Sequence, residues 1–154
     1  MAEIVSNSVL PAIREAIELT TSDGLKLVGE LALPIATAPK ATLLLLHPNP
    51  TGGGMMDSHL FKKAAWRLPA LADVAILRWN TRGTCSAAGR SQGEYDKGLA
   101  EGLDLAAALD FAKSRSLENI WLVGWSFGTD VTLMHVNVDP VKGAVLFSPP
   151  LMWR

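Results

Sequence analysis

The sequence predicts an α/β fold, a doubly wound and mostly parallel sheet that follows an antiparallel hairpin at the N-terminus. Three observations carry this. From residue 41 onward, short apolar runs of strand length alternate with longer segments of helical periodicity. Two of the runs, ATLLLL at 41–46 and AVLF at 144–147, are apolar on both faces, as strands covered by helices on each side must be. Near the start, Ser22-Asp23-Gly24 separates two strand-like runs at 14–20 and 25–33, and an Asp-Gly pair is a hairpin turn signal.

The remaining elements follow in order. HPNPTGGG after the 41–46 strand is a loop, and a helix is expected from about Asp57. There Leu60, Ala64 and Leu68 form one stripe with Phe61 and Ala65 beside them, while Lys62, Lys63 and Arg67 face out; Pro69 should end or bend the helix. VAILRW at 74–79 is the next strand, and a polar loop rich in Gly and Ser follows it. Residues 97–113 read as a helix with Leu99, Leu103 and Ala106 on the apolar face and Lys97, Glu101 and Asp104 on another. Residues 120–123 make a strand, 127 to about 137 a helix, and 144–147 a final strand.

Composition narrows the function. A chain of 154 residues, 49% hydrophobic and 19% charged, fits a single domain, residues 1–154. Its formal net charge of −1, with Lys and Arg scattered, gives no electrostatic footprint for nucleic acid or an anionic membrane. The N-terminus lacks the basic start and apolar core of a signal peptide, and the LLLL run at 43–46 is far too short to span a bilayer. Cys85 is the single cysteine, so no intramolecular disulfide can form, and a reducing cytoplasm is the expected location. No metal site and no cofactor are expected.

The chemistry lies in LVGWSFGTD at 122–130. Gly124-Trp125-Ser126-Phe127-Gly128 matches G-x-S-x-G, and it joins the apolar run IWLV to a helix. A tight turn of that kind strains the residue at its apex, and small residues two before and two after let strand and helix approach. The strain would expose the Ser126 hydroxyl at the C-terminal edge of the sheet; the plainer alternative is a serine cap with glycines serving a turn. His47-Pro48-Asn49-Pro50 ends the 41–46 strand and should lie at the same edge. Acyl transfer needs two backbone N–H donors where the oxyanion forms. Phe127 would supply one. Pro48 and Pro50 have no N–H, which leaves Asn49 and Thr51 for the other; a plain surface turn is the alternative.

Together, LLLLHPNPTGGG, LRWNTRGTCSAAGRSQGEYDKG, WLVGWSFG and GAVLFSPP resemble the α/β-hydrolase superfamily, in its small bacterial dienelactone-hydrolase-like and esterase-like branch. The resemblance covers nearly the whole chain. It implies a serine hydrolase acting on a small-molecule ester or related acyl bond, with Ser126 as nucleophile and Phe127 and Asn49 as oxyanion donors. Arg82 and Glu94 would order the loop after the 74–79 strand, and His47 would shape the oxyanion loop.

The resemblance also implies an acid and then a histidine after the serine. Only Asp130, His135 and Asp139 follow Ser126 with suitable chemistry, and all three are expected to point away from the reactive edge. The 144–147 strand, apolar yet the last one, would leave an edge open to pairing with another chain. Leu151, Met152 and Trp153 likewise have no evident element to pack on. The chain therefore reads as the N-terminal two thirds of a hydrolase. The alternative is a non-catalytic module of the same fold that pairs with another chain and binds rather than cleaves.

Overall fold

The computed structural model describes residues 3–137 and 139–151. Six strands form one sheet: β1 (Ile13–Thr20), β2 (Lys26–Leu33), β3 (Ala41–Leu46), β4 (Val74–Trp79), β7 (Ile120–Trp125) and β8 (Val141–Phe147), in the order β1-β2-β4-β3-β7-β8. Strand β2 runs antiparallel to both β1 and β4, and β4, β3, β7 and β8 are parallel. Two-residue strands β5 (Cys85–Ser86) and β6 (Gly89–Arg90) pair within the loop after β4. The helices are α1 (His59–Ala72), α2 (Glu101–Ser114) and α3 (Phe127–His135).

Strand alternation divides the core into two layers. Leu44, Leu46, Leu77 and Trp79 point to the side covered by Leu105, Ala108 and Val131 of α2 and α3. Leu45, Ile76 and Val123 point to the opposite side, against Phe61 and Ala65 of α1. Because β3, β4, β7 and β8 are parallel, all their C-terminal ends share one edge, where the loops carrying chemistry gather.

Several expectations are corrected here. The hairpin turn is a five-residue loop, with Thr20 opposite Lys26; the amide of Thr21 donates to Leu25 O and the amide of Gly24 to Thr21 O. Pro69 does not end α1, which runs three residues further. The buried stripe of that helix is Phe61, Ala65 and Pro69, and Leu60 is exposed.

Helix α2 begins four residues later than expected, after Lys97 at φ 55° and Gly98 at φ 94°. Its faces are also the reverse of those expected. Leu99 and Leu103 are 56% and 37% exposed, while Glu101 and Asp104 are fully buried. The Glu101 carboxylate accepts from the amides of Asp96 and Gly98, 2.7 and 2.8 Å away, and so secures the turn before the helix. Asp104 accepts from the Arg82 amide, Nε and Nη2 at 2.8–2.9 Å. Buried carboxylates are tolerated when paired in this way.

Strand β8 is a sheet edge, and Val145 and Phe147 are each 42% exposed. They line an apolar groove of about 420 Å³ with Leu43, Leu60, Leu68 and Trp121. Leu151 is exposed, and Met152 and Trp153 lie outside the described residues. No helix among the described residues is long and apolar enough to cross a membrane.

Candidate active site

Ser126 stands between β7 and α3 with φ 53° and ψ −116°. A side-chain-bearing residue avoids this region unless its surroundings enforce it. The enforcement comes from both sides. The Ser126 amide donates to Phe147 O at 2.8 Å, extending the β7–β8 ladder, and Ser126 O accepts from the amide and hydroxyl of Thr129 at 2.8 and 2.6 Å. Gly124 and Gly128 permit the turn because a Cβ on Gly124 would meet Gly128 O at 2.7 Å, and one on Gly128 would meet Leu46 O. That second contact brings the end of β3, with His47 and its loop, against the elbow.

The loop after β3 is a short 3-10 turn at Pro50–Gly52. Asn49 Oδ1 accepts from both the amide and the hydroxyl of Thr51, at 3.0 and 2.8 Å. The Thr51 amide is thereby engaged. The Asn49 amide has no acceptor among the described residues. Gly54 lets the loop close on itself, since a Cβ there would strike Pro48 O, and its amide donates to Asn49 O at 2.9 Å.

Asn49, Gly52, Gly53, Trp125 and Ser126 line one cleft of about 540 Å³, and Asp57, Ser58 and His59 form another part of its wall. Phe127 is buried, its ring 5.4 Å from that of Tyr95. Its amide sits at the first position of α3, where N–H groups have no intrahelical partner.

The three histidines have different surroundings. His47 is buried; its Nε2 accepts from the Thr81 amide at 3.1 Å, and its Nδ1 lies 2.7 Å from Pro48 O. Burial pushes its pKa down to about 4, partly opposed by the Pro48 carbonyl. His135 Nε2 lies 2.6 Å from Gly98 O, on the far side of α3. His59, at the start of α1, is exposed in the Ser126 cleft, with its ring 5.3 Å from the Trp125 ring and nearly perpendicular to it.

His59 is the residue that sequence reasoning missed. The signal was available: α1 begins where the β3 loop ends, so its first residues share the reactive edge. Asp130 is buried within α3, and Asp139 precedes the start of β8, at the opposite edge. Arg82 orders its loop as expected, through Asp104 and Asp23, whereas the Glu94 carboxylate makes no hydrogen bond to a described residue. Ser126 Oγ is likewise without a hydrogen-bond partner among the described residues.

No protein-family profile matches the chain. An uncharacterised protein of Rickettsia prowazekii is 32% identical over 120 residues, which are 75% of this chain and 48% of that protein. Among solved structures, a lidless α/β serine hydrolase of Xanthomonas campestris superimposes with a TM-score of 0.78 at 27% identity, over 96% of this chain and 67% of its own. An α/β serine hydrolase homologue of Coxiella burnetii gives 0.76 at 26% identity, over 99% and 68%. The chain thus spans about half the length of the curated relative and two thirds of these two structures. A parallel sheet with an N-terminal antiparallel hairpin, a strained serine between β7 and α3, and close superposition on serine hydrolases establish that this chain has the α/β-hydrolase fold.

Proposed function

We propose that the chain carries the nucleophile side of a serine hydrolase that cleaves small ester or related acyl bonds. The observation that carries this is Ser126 at φ 53°, with its hydroxyl unengaged and facing a cleft walled by the glycine-rich loop. In this reading Ser126 Oγ attacks the acyl carbon. The amides of Phe127 and Asn49 donate to the oxygen that becomes negative. Engagement of Thr51 by the Asn49 side chain favours Asn49 over Thr51 as the second donor.

A serine hydroxyl needs a base, and the base needs an acid to orient it. We place both outside these 154 residues, because His47 and His135 are committed elsewhere and His59, though exposed in the cleft, meets the Trp125 ring rather than an orienting acid. The test is hydrolysis of p-nitrophenyl acetate by a protein as long as the solved hydrolases, beside its Ser126→Ala variant. Loss of at least ~10³-fold is expected. Turnover unaffected by Ser126→Ala overturns the assignment.

One observation favours a second reading, a non-catalytic module that pairs with another chain. The β8 edge and the adjoining groove expose Val145, Phe147 and Leu60. A stable assembly of two chains in solution, together with no Ser126-dependent turnover, would select it.

A further inference from the structure

The part of the Ser126 cleft wall formed by Asp57, Ser58 and His59 is held through Met56 by Arg78 of β4 and by Asn80, just after that strand. Arg78 and Asn80 are two residues apart and therefore on the same face, toward α1. Both are buried. Asn80 Oδ1 accepts from the Met56 amide at 2.9 Å, and Arg78 Nη1 donates to Met56 O at 2.8 Å. The two polar backbone groups of Met56 are thus gripped by one side chain of β4 and one from the residue just after it.

Each gripping residue is itself anchored. Arg78 Nη1 also reaches Asp57 Oδ1 at 2.7 Å, while its Nη2 and Nε reach Glu30 Oε1 on β2 at 3.0 and 3.3 Å. Asn80 Nδ2 donates to Ser86 Oγ and Gly89 O in the next loop, at 2.9 and 3.1 Å. Its backbone amide donates to Val28 O, and its carbonyl accepts from the Ser91 hydroxyl at 2.6 Å. The three hydrogen bonds of the Asn80 amide group run to two segments, its oxygen to Met56 and its nitrogen to the loop after β4, which fixes its orientation.

Met56 lies between the glycines at 52–54 and the start of α1, and Asp57, Ser58 and His59 after it line the Ser126 cleft. We propose that Arg78 and Asn80 are positioning residues that hold this wall in place before any substrate binds. A glycine-rich loop has high conformational freedom, and its amides can serve a transition state only when they are already fixed. The grip on Met56 supplies that fixation without entering the cleft. The Ser126 reading bears only on what the wall is held for; the grip stands on its own.

The experiment, made in a protein as long as the solved hydrolases, compares wild type with Arg78→Lys, Asn80→Leu and a remote core control, Leu19→Ala. An ammonium cannot span Met56 O, Asp57 and Glu30 as the guanidinium does, so Arg78→Lys should fold while loosening the grip. Hydrogen exchange of the amides at 55–59 should accelerate at least tenfold in Arg78→Lys and Asn80→Leu relative to the β7 amides, and stay unchanged relative to them in Leu19→Ala. Phosphonylation of Ser126 by a fluorophosphonate should slow at least fivefold in the first two and not in the control.

Unchanged exchange in Arg78→Lys overturns the proposal, and so does equal slowing of labelling by Leu19→Ala at a matched loss of Tm. If Asn80→Leu does not fold, Arg78→Lys decides. If wild-type Ser126 resists the reagent, the nucleophile reading fails while the exchange result still judges the grip.

Discussion

The Thr81 amide donates to Nε2 of His47, which places the imidazole proton on Nδ1, facing Pro48 O 2.7 Å away. This pairing holds His47 neutral and buried, and it removes the ring as a base for Ser126. It also joins the loop after β4 to the loop after β3, so the histidine works as a strut beneath the reactive edge.

A pH dependence follows from that strut. The folded pKa of His47 is pushed down to about 4 from the ordinary 6.5, so the unfolded chain binds the proton first as pH falls. Its contribution is therefore whole above pH 6.5 and lost progressively down to about pH 4, roughly 3 kcal/mol in all. Asp104, which burial pushes up to about 6 against the opposing Arg82 hydrogen bonds, acts with the opposite sign over much of that range. The difference between wild type and His47→Gln isolates the histidine. Urea unfolding at several pH values should show wild type losing more stability than His47→Gln between pH 6.5 and 4; parallel curves would refute the strut.

The elbow strain gives a second prediction. Ser126 at φ 53° and ψ −116° occupies backbone space where glycine is unpenalised. Ser126→Gly should therefore raise stability by about 1 kcal/mol or more while removing the nucleophile. Gly128→Ala should do the reverse, because its Cβ would strike Leu46 O. A cost of about 2–4 kcal/mol is expected from that overlap. Denaturant midpoints of the two variants check both signs.

How much of this was legible in sequence depended on whether apolar pattern and burial agreed. They agreed in β3 and β4, whose runs at 41–46 and 74–79 match the strands residue for residue. They also agreed at the elbow, where a five-residue pattern between strand and helix specifies one geometry. They parted in α2. Asp104 and Glu101 are buried by specific partners, Arg82 and the amides of the preceding turn, and hydrophobic periodicity carries no information about such partners. His59 escaped notice because a cleft is assembled from segments far apart in the chain.

The inverted α2 makes a third prediction. Leu103→Lys, at an exposed position, should change stability by no more than about 0.5 kcal/mol. Asp104→Leu, which restores a conventional apolar helix, should cost about 3 kcal/mol, because Arg82 would lose its buried partner. The faces inferred from periodicity would give the opposite ranking, so thermal melts of the two variants distinguish the readings directly.

The last prediction concerns turnover by the 154-residue chain itself. Ser126 Oγ has no hydrogen-bond partner among the described residues, and an unassisted hydroxyl is a poor nucleophile at neutral pH. The chain should therefore hydrolyse p-nitrophenyl acetate only slightly above its Ser126→Ala variant. Of the three histidines, His59 alone is exposed in the cleft, and its ring meets Trp125 rather than an acid that could orient it. His59→Asn should accordingly leave any Ser126-dependent rate within about threefold, a change too small for the loss of a general base. If robust turnover collapses in His59→Asn but survives in His47→Gln, the base is His59, and the proposal that the base lies outside these residues is wrong. If it collapses in neither, a group other than His59 or His47 activates the serine.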